Sequence, residues 1–174
     1  MARRARKTVN KPVVPVSARK AVADAIKLRV ARYYAKKGHG VNFELAVSQW
    51  GKLRADVFVM SFKGHVTIIE VKSCRADFRT DTKWKGYLPF CNQFYFAFDQ
   101  ETWDSLKDTW EHGKEVGVIV IGDLQNPRAA LTFVRKSSKR ELAFDTLFSL
   151  ALRAAYRGAK YRSLADIRAG GNQR

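Results

Sequence analysis

Two strand-like segments joined by a short turn constrain the fold of this chain more than any other feature. The segments read RADVFVM at 54–60 and HVTIIEVK at 65–72, and the turn between them, SFKG, has glycine where a hairpin favours it. If the turn is centred near Lys63, residues equally far from Lys63 face each other. Asp56 is therefore predicted to lie opposite Glu70, with the two Cβ atoms roughly 4.5–5.5 Å apart.

The predicted hairpin places an unusual set of charges on apolar strands. Two carboxylates at that distance repel each other unless a cation neutralises them, and oxygen ligands of this kind suit Mg²⁺ or Mn²⁺. Lys72 follows Glu70 by two residues, so both side chains lie on the same face of the strand. We predict a catalytic site of Asp56, Glu70 and Lys72, with the two acids as metal ligands. The expected reaction is metal-assisted hydrolysis of a nucleic-acid phosphodiester.

The rest of the chain alternates between helical and strand-like patterns. Helices are predicted from the expected cap Ser17 to the glycines at 38 and 40, at 101–113 and at 139–157, and the stretch 75–91 is partly helical. Further strands are predicted at 41–47, 93–98, 116–122 and 130–136. In the first of these, Val41, Phe43, Leu45 and Val47 are expected on one face. The order predicts an α/β fold, a central mixed β-sheet flanked by helices.

The charge indicates the kind of partner. The formal net charge is +17, from 33 Lys and Arg against 16 Asp and Glu, and it is concentrated at the two ends of the chain. We predict a flexible basic arm at 1–16, one folded domain at 17–157 and a basic C-terminal tail at 158–174. Such an excess favours a polyanion as ligand, with DNA the first candidate, and binding that weakens steeply with salt.

Cysteine content and apolar runs indicate the compartment. Two cysteines, Cys74 and Cys91, are too few for a disulfide framework, and no apolar core follows the basic start MARRARK as it would in a signal peptide. No apolar run approaches the length that spans a membrane. We expect an intracellular protein, cytoplasmic or nucleoid-associated, without a membrane partner.

A longer signature resembles a known family. Asp56, Glu70 and Lys72 form a D-x13-E-x-K pattern, which resembles the PD-(D/E)xK nuclease superfamily, although Ala55 stands where the superfamily's name has proline. The stretch from RAD at 54 to FYFA at 97 is similar to the MmcB family of DNA-repair-associated proteins within that superfamily. The matching positions are Arg54–Asp56, Glu70–Ser73, Ala76–Arg79, Asp81, Lys83, Trp84, Tyr87, Cys91 and Phe94–Ala97.

The resemblance covers roughly residues 41–123, and more loosely 17–157. It implies a restriction-endonuclease-like core of the order αβββαβ and a Mg²⁺- or Mn²⁺-dependent deoxyribonuclease, expected to be an endonuclease of DNA repair, recombination or processing. Many members of the superfamily act as homodimers, so a homodimer is left open. The alternative is a non-catalytic, basic DNA- or RNA-binding protein that retains the nuclease-like fold.

Other charged residues have two interpretations each. Glu44 is a further candidate metal ligand, or a solvent-facing strand residue. Asp77 and Asp81 could position substrate or a second metal, but helix-cap and dipole roles are favoured for them. Trp84 is expected to pack on the sheet. The candidates for phosphate contacts are basic residues before and after the predicted site: Arg54, Arg75, Arg79, Lys83 and Lys85.

Overall fold

The structure is a computed structural model that describes residues 16–126 and 128–160. The predicted basic arm at 1–16, apart from Val16, lies outside the described residues, and so does most of the predicted tail at 158–174.

Four helices and six strands make up the described fold. The helices are α1 (Val16–Ala35), α2 (Arg75–Thr80), α3 (Gln100–Leu106) and α4 (Phe144–Lys160). The strands are β1 (Gly40–Ala46), β2 (Arg54–Met60), β3 (Val66–Val71), β4 (Gln93–Asp99), β5 (Val116–Ile121) and β6 (Leu131–Arg135). Short 3₁₀ turns lie at Gln49–Gly51, Trp84–Phe90 and Lys107–Thr109. The predicted αβββαβ order is confirmed.

The six strands form one mixed sheet in the order β1-β2-β3-β4-β5-β6. The first three strands are an antiparallel meander, β4 and β5 run parallel to β3, and β6 returns antiparallel to β5. Parallel neighbours need crossover connections, which α2 with the turn at Trp84–Phe90, and then α3, provide. The predicted central mixed sheet flanked by helices is therefore confirmed.

Helices cover both faces of the sheet, which explains why the central strands are mostly apolar. Every residue of β3 and of β5 is buried. On one face α1 contributes Ile26, Val30 and Tyr34, which recur at the four-residue spacing of one helical stripe. On the other face the rings of β4 pack against α3, α4 and the turn at Trp84–Phe90. Burial on both faces is the pattern expected of a parallel strand.

Several predicted boundaries and one predicted face are wrong. The first helix begins at Val16, one residue before the expected cap Ser17, and the last helix begins at Phe144 although its pattern was read from 139. In β1, Val41 packs towards α1, whereas Leu45 and Val47 pack on the opposite face. The reason is Glu44, whose φ of 51° breaks the strand's alternation and turns its side chain towards α1.

Within the part of the chain that the structure describes, no helix combines the length and apolarity needed to cross a membrane.

Gly117 offers a test of the packing between β4 and β5. A Cβ atom at this position would overlap the ring of Tyr95 and lie 2.8 Å from the backbone nitrogen of Ser137. We therefore expect Gly117→Ala to lower the free energy of unfolding by about 1–3 kcal/mol, the usual cost of overpacking. Denaturant unfolding would measure the change.

Gly122 provides the matched control at the end of the same strand. Its added Cβ would come no closer than 3.7 Å to the carbonyl oxygen of Ala130 and would meet ordinary contacts. Gly122→Ala should change the free energy of unfolding by less than about 0.5 kcal/mol. Equal effects of the two substitutions would contradict the packing described here.

Candidate active site

The hairpin has the register predicted from the sequence. Val57 pairs with Ile69 and Met60 pairs with Val66, so the strands are aligned about Lys63. Gly64, the last residue of the SFKG turn, has a φ of 74°, which glycine adopts without a steric cost. This register brings Asp56 opposite Glu70, as expected.

Beyond Val57 and Ile69, side chains replace the backbone ladder between β2 and β3. The backbone N–H of Val71 donates to Asp56 Oδ2 at 2.8 Å, and the backbone N–H of Asp56 donates to Glu70 Oε1 at 3.2 Å. Each carboxylate is thus held by the backbone of the opposite strand. On its other side β3 stays joined to β4, since the N–H of Lys72 donates to the carbonyl of Ala97 at 3.0 Å. The strands fork at this point, and the two acids occupy the fork.

A lysine on the first helix, which was not among the predicted site residues, neutralises one of these acids. Lys27 lies on α1 with its Nζ 3.1 Å from Asp56 Oδ1, and it also pairs with Glu44 Oε1. Arg54 Nε lies 3.1 Å from the other oxygen of Glu44. Glu44 is therefore neither a plain solvent-facing residue nor a direct neighbour of Glu70. Lys27 links Glu44 to Asp56 and supplies positive charge to one of the two acids between which a cation was predicted.

The sequence did contain a signal for Lys27. It lies three residues before Val30 and four after Ala23, so it borders the helical stripe that packs on the sheet. A basic residue beside a buried stripe needs an acidic partner. The partner could not be chosen without knowing which end of the sheet α1 crosses.

Lys72 forms the second ion pair of the site. Its Nζ lies 2.7 Å from Asp81 Oδ2, and both side chains are more than nine-tenths buried. The helix-cap role favoured for Asp81 is wrong in position, because Asp81 follows the C-terminus of α2 instead of preceding its N-terminus. Asp77 does lie in the first turn of α2, where its charge complements the helix dipole.

An open cleft of about 310 Å³ gives access to these groups. Glu70 and Lys72 both line it, which confirms that they share one face of the strand. The remaining lining residues come from α2 and the segment that follows it: Asp77, Thr80, Asp81, Thr82, Lys83 and Tyr87. The hydroxyl of Tyr87 donates to the carbonyl of Arg54 at 3.0 Å, so the floor of the cleft is tied to β2.

Burial and like charge shift the proton affinity of the two acids. Desolvation, with repulsion from Asp56, raises the pKa of Glu70 from 4.5 to about 8. Desolvation also raises the pKa of Asp56, against the opposing effects of the Val71 N–H and of Lys27. Near neutral pH the pair therefore retains a proton, which resides on Glu70 because Asp56 has the nearer lysine.

The two lysines remain charged. Burial by itself lowers the pKa of Lys72, but the hydrogen bond to Asp81 and the neighbouring acids outweigh it and raise the pKa overall. The pKa of Lys27 is likewise raised, because Glu44 and Asp56 outweigh desolvation. A protonated Lys72 is suited to stabilise negative charge on a substrate and poorly suited to remove a proton from water.

The predicted metal site fits one particular kind of ion. Among residues 16–126 and 128–160, no three acidic, histidine or cysteine side chains are grouped closely enough to hold a metal by themselves. Mg²⁺, however, is usually held by one or two carboxylates, with waters and substrate phosphates completing its octahedron. Asp56 and Glu70 match that donor set, provided that Lys27 gives up its contact with Asp56.

The predicted phosphate-contacting residues do not form one cluster at the cleft. Arg54, Arg79, Lys83 and Lys85 are exposed, and Arg75 is half-buried. Lys83 lines the cleft itself. Lys85 Nζ lies 5.6 Å from the centre of the Trp84 ring, and Trp84 is buried against the sheet, as predicted. Lys83 thus leaves exposed positive charge at the cleft that Glu70 lines, whereas Arg54 is paired with Glu44.

Comparison with known structures supports the fold. A solved structure described as the SPO1766 protein of unknown function from Silicibacter pomeroyi is similar, with a TM-score of 0.69 and 28% sequence identity. The match covers 84% of this chain and 93% of that chain. No curated protein matched the sequence.

Comparison with protein-family models assigns the family. The model described as DNA repair protein MmcB-like matches residues 11–167, and so includes both strands of the fork, α1 with Lys27 and the segment that carries Asp81. The matched range extends beyond the part of the chain in which the signature was recognised. This protein belongs to the MmcB-like family of DNA repair proteins.

Proposed function

We propose that this protein is a Mg²⁺- or Mn²⁺-dependent deoxyribonuclease, an endonuclease that hydrolyses phosphodiester bonds in DNA during repair, recombination or processing. The observation that carries the proposal is the pair Asp56 and Glu70, each held at the strand fork by the backbone of the other strand. Lys72 lies beside them in an open cleft. Two close carboxylates with a neighbouring lysine can supply a metal site and a positive charge for phosphodiester hydrolysis with a divalent ion.

Charge supports DNA as the substrate. The net charge is +17, exposed Lys83 lines the cleft, and Arg54, Arg79 and Lys85 are also exposed. Each phosphate that such residues neutralise releases counterions, so binding should weaken steeply with salt. The family description also associates these proteins with DNA repair. A cytoplasmic or nucleoid-associated location follows from that substrate, and a homodimer stays a prediction.

In the proposed reaction, the acids of the site and Lys72 would have different roles. Asp56 and Glu70 would hold the metal ion, which when bound supplies a Lewis acid and lowers the pKa of a coordinated water. To hold the ion, Glu70 would have to be ionised and Lys27 would have to leave Asp56 while keeping its contact with Glu44. Lys72, kept charged and oriented by Asp81, stabilises negative charge that develops on the phosphate oxygens.

One observation favours the alternative, a DNA-binding protein without catalysis. Lys27 already neutralises Asp56, and Lys72 already neutralises Asp81. These acids therefore have cationic partners without a metal ion. A protein that binds DNA equally well with EDTA or Mg²⁺ and never cleaves it would fit this alternative. The experiments below separate the two.

The first test is cleavage of DNA. Wild-type protein should nick or degrade DNA in Mg²⁺ or Mn²⁺. Asp56→Asn should reduce the rate at least 100-fold because a metal ligand is lost, while DNA affinity changes less than about threefold. Lys72→Met should also reduce cleavage about 100-fold, the usual effect of losing one charge-stabilising group. Supercoiled plasmid, linear duplex and single strands would be assayed in parallel.

Asp104→Asn is the matched control for this test. Asp104 is an exposed acid on α3 that pairs with Lys107 at 3.0 Å. Its substitution should leave cleavage unchanged. If purified wild type, Asp56→Asn and Asp104→Asn all gave the same rate, the nuclease proposal would be wrong.

Lys27 gives a test that does not depend on activity. Lys27→Met removes the ammonium that competes for Asp56, so we expect Mn²⁺ to bind about three- to tenfold more tightly in isothermal titration calorimetry. The metal-free variant should be less stable by about 1–3 kcal/mol, because Glu44 and Asp56 lose their cation. Lys107→Met, at an exposed pair, is the control that should change neither quantity. Weaker Mn²⁺ binding by Lys27→Met would contradict the competition.

The shifted pKa of Glu70 predicts a pH-dependent stability. The pKa of Glu70 is about 8 in the folded protein and 4.5 in the unfolded chain. Between these two pH values the folded protein binds one more proton than the unfolded chain, so its free energy of unfolding falls as pH rises. Glu70→Gln should remove this loss. Without metal, its stabilising effect should be nearly absent near pH 4.5 and should grow to about 5 kcal/mol above pH 8.

Denaturant unfolding at several pH values in EDTA would measure this trend. Glu101→Gln, at an exposed position in the first turn of α3, is the control expected to show none. A Glu70→Gln effect that stays constant between pH 5 and 9 would show that Glu70 is ionised throughout.

A further inference from the structure

Trp50 lies at the same end of the strands as the candidate site. β1 and β2 are paired up to Ala46 and Arg54, and Trp50 is at the tip of the connection between them. Glu44 and Asp56 each lie two residues inside the ends of this pair. The connection between β1 and β2 therefore lies at the same end of these two strands as Glu44 and Asp56.

The side chain of Trp50 is almost wholly exposed, in a backbone conformation that costs energy. Its exposed fraction is 91%, its φ is 62° and ψ is 13°, and the next residue, Gly51, has a φ of 68°. The other three tryptophans all pack in the core. A bulky residue in the left-handed region is uncommon, and such strain is often found at functional sites.

The exposure of Trp50 does not result from a loose loop. Arg153 on α4 donates to the carbonyl of Ser48 at 2.9 Å, and the Ser48 hydroxyl accepts from the N–H of Leu53 at 2.9 Å. Val47 is buried in the core, and its N–H donates to the carbonyl of Leu53 at 2.9 Å. Both ends of the loop are thus held by hydrogen bonds, and the Trp50 ring is exposed at the tip of the loop.

We propose that Trp50 is a stacking platform for an unpaired nucleobase of the DNA bound at the candidate site. An exposed indole offers a flat face to any base, and exposed Lys52 beside it supplies positive charge for an adjoining phosphate. Six residues of chain from Trp50 to Asp56 span at most about 21 Å. The stacked base therefore lies within about six nucleotide steps of the cleaved bond, at 3.4 Å per step.

This placement predicts a substrate class. A base can stack on the ring only where it is free of its partner, as in a single strand, a gap, a flap or a frayed end. The favoured substrate would accordingly be DNA with a single-stranded segment next to the cleft, and continuous duplex would bind without the contribution of Trp50. The inference rests on the proposed function only in placing DNA across the cleft.

Binding in EDTA tests this separately from cleavage. Fluorescence anisotropy would compare a labelled single strand of about 20 nucleotides with a blunt duplex of the same sequence. Trp50→Gly deletes the ring and also relieves the left-handed backbone, so its unfolding temperature should not fall and should rise by up to about 2–4 °C. Its affinity for the single strand should fall about 5- to 100-fold, and for the duplex less than threefold.

Two further variants make the result specific. Trp50→Phe keeps an aromatic face and should bind the single strand within about threefold of wild type. Phe62→Ala is the matched control, because Phe62 is 96% exposed but lies in the turn at the opposite end of β2. It should bind both DNAs as wild type does.

The proposal is overturned if Trp50→Gly binds the single strand as wild type does, or if Trp50→Phe is as weak as Trp50→Gly. It is also overturned if Phe62→Ala loses as much affinity as Trp50→Gly. A change in sedimentation of the DNA-free Trp50→Gly protein would assign the ring to a protein contact instead. If Trp50→Gly lost single-strand binding and the wild-type protein cleaved no DNA, stacking by Trp50 would be supported and the nuclease proposal would be rejected.

Discussion

The reciprocal hydrogen bonds between Asp56 and Glu70 are the constraint on which the site depends. Each side chain accepts from the backbone N–H of the opposite strand, so the acids hold the fork open and are held in place by it. Two buried backbone donors would otherwise lack a partner at the end of the ladder. Because β3 stays joined to β4 beside the fork, Glu70 lies on a strand that is still paired within the sheet.

The charges around the fork then determine its state. Glu70 is kept protonated by burial and by Asp56, while Lys27 neutralises Asp56 from the helix on one face of the sheet. Lys72 forms an ion pair with Asp81, which lies after α2 on the opposite face of the sheet from Lys27. A divalent ion entering this site would therefore displace a proton and an ammonium group, and its binding would be coupled to pH and to the position of Lys27. The proton on Glu70 and the two lysines explain how several acids can lie close together at this place.

Much of this arrangement was predictable from the sequence, for a physical reason. A tight turn with glycine at its end sets the hairpin register, and the register alone places Asp56 opposite Glu70. The partners of these acids were not predictable, because Lys27 and Asp81 reach the site from segments whose docking is set by packing between helices and sheet. The left-handed residue Glu44 could not be foreseen either, since its strand reads as a regular alternation. Trp50 gave no signal as an exposed residue, because a tryptophan after an apolar strand is more often buried.

The central claim is that the strand fork is a divalent-cation site from which Lys27 withdraws. Anomalous diffraction from a crystal of the protein soaked in Mn²⁺ tests it most directly. We expect one anomalous peak between the carboxylates of Asp56 and Glu70, at the oxygen distances of about 2.0–2.2 Å typical of small divalent ions. Lys27 Nζ should then contact Glu44 alone. A fork without a peak, with Lys27 Nζ still against Asp56 at saturating Mn²⁺, would contradict the claim and favour a DNA-binding protein without catalysis.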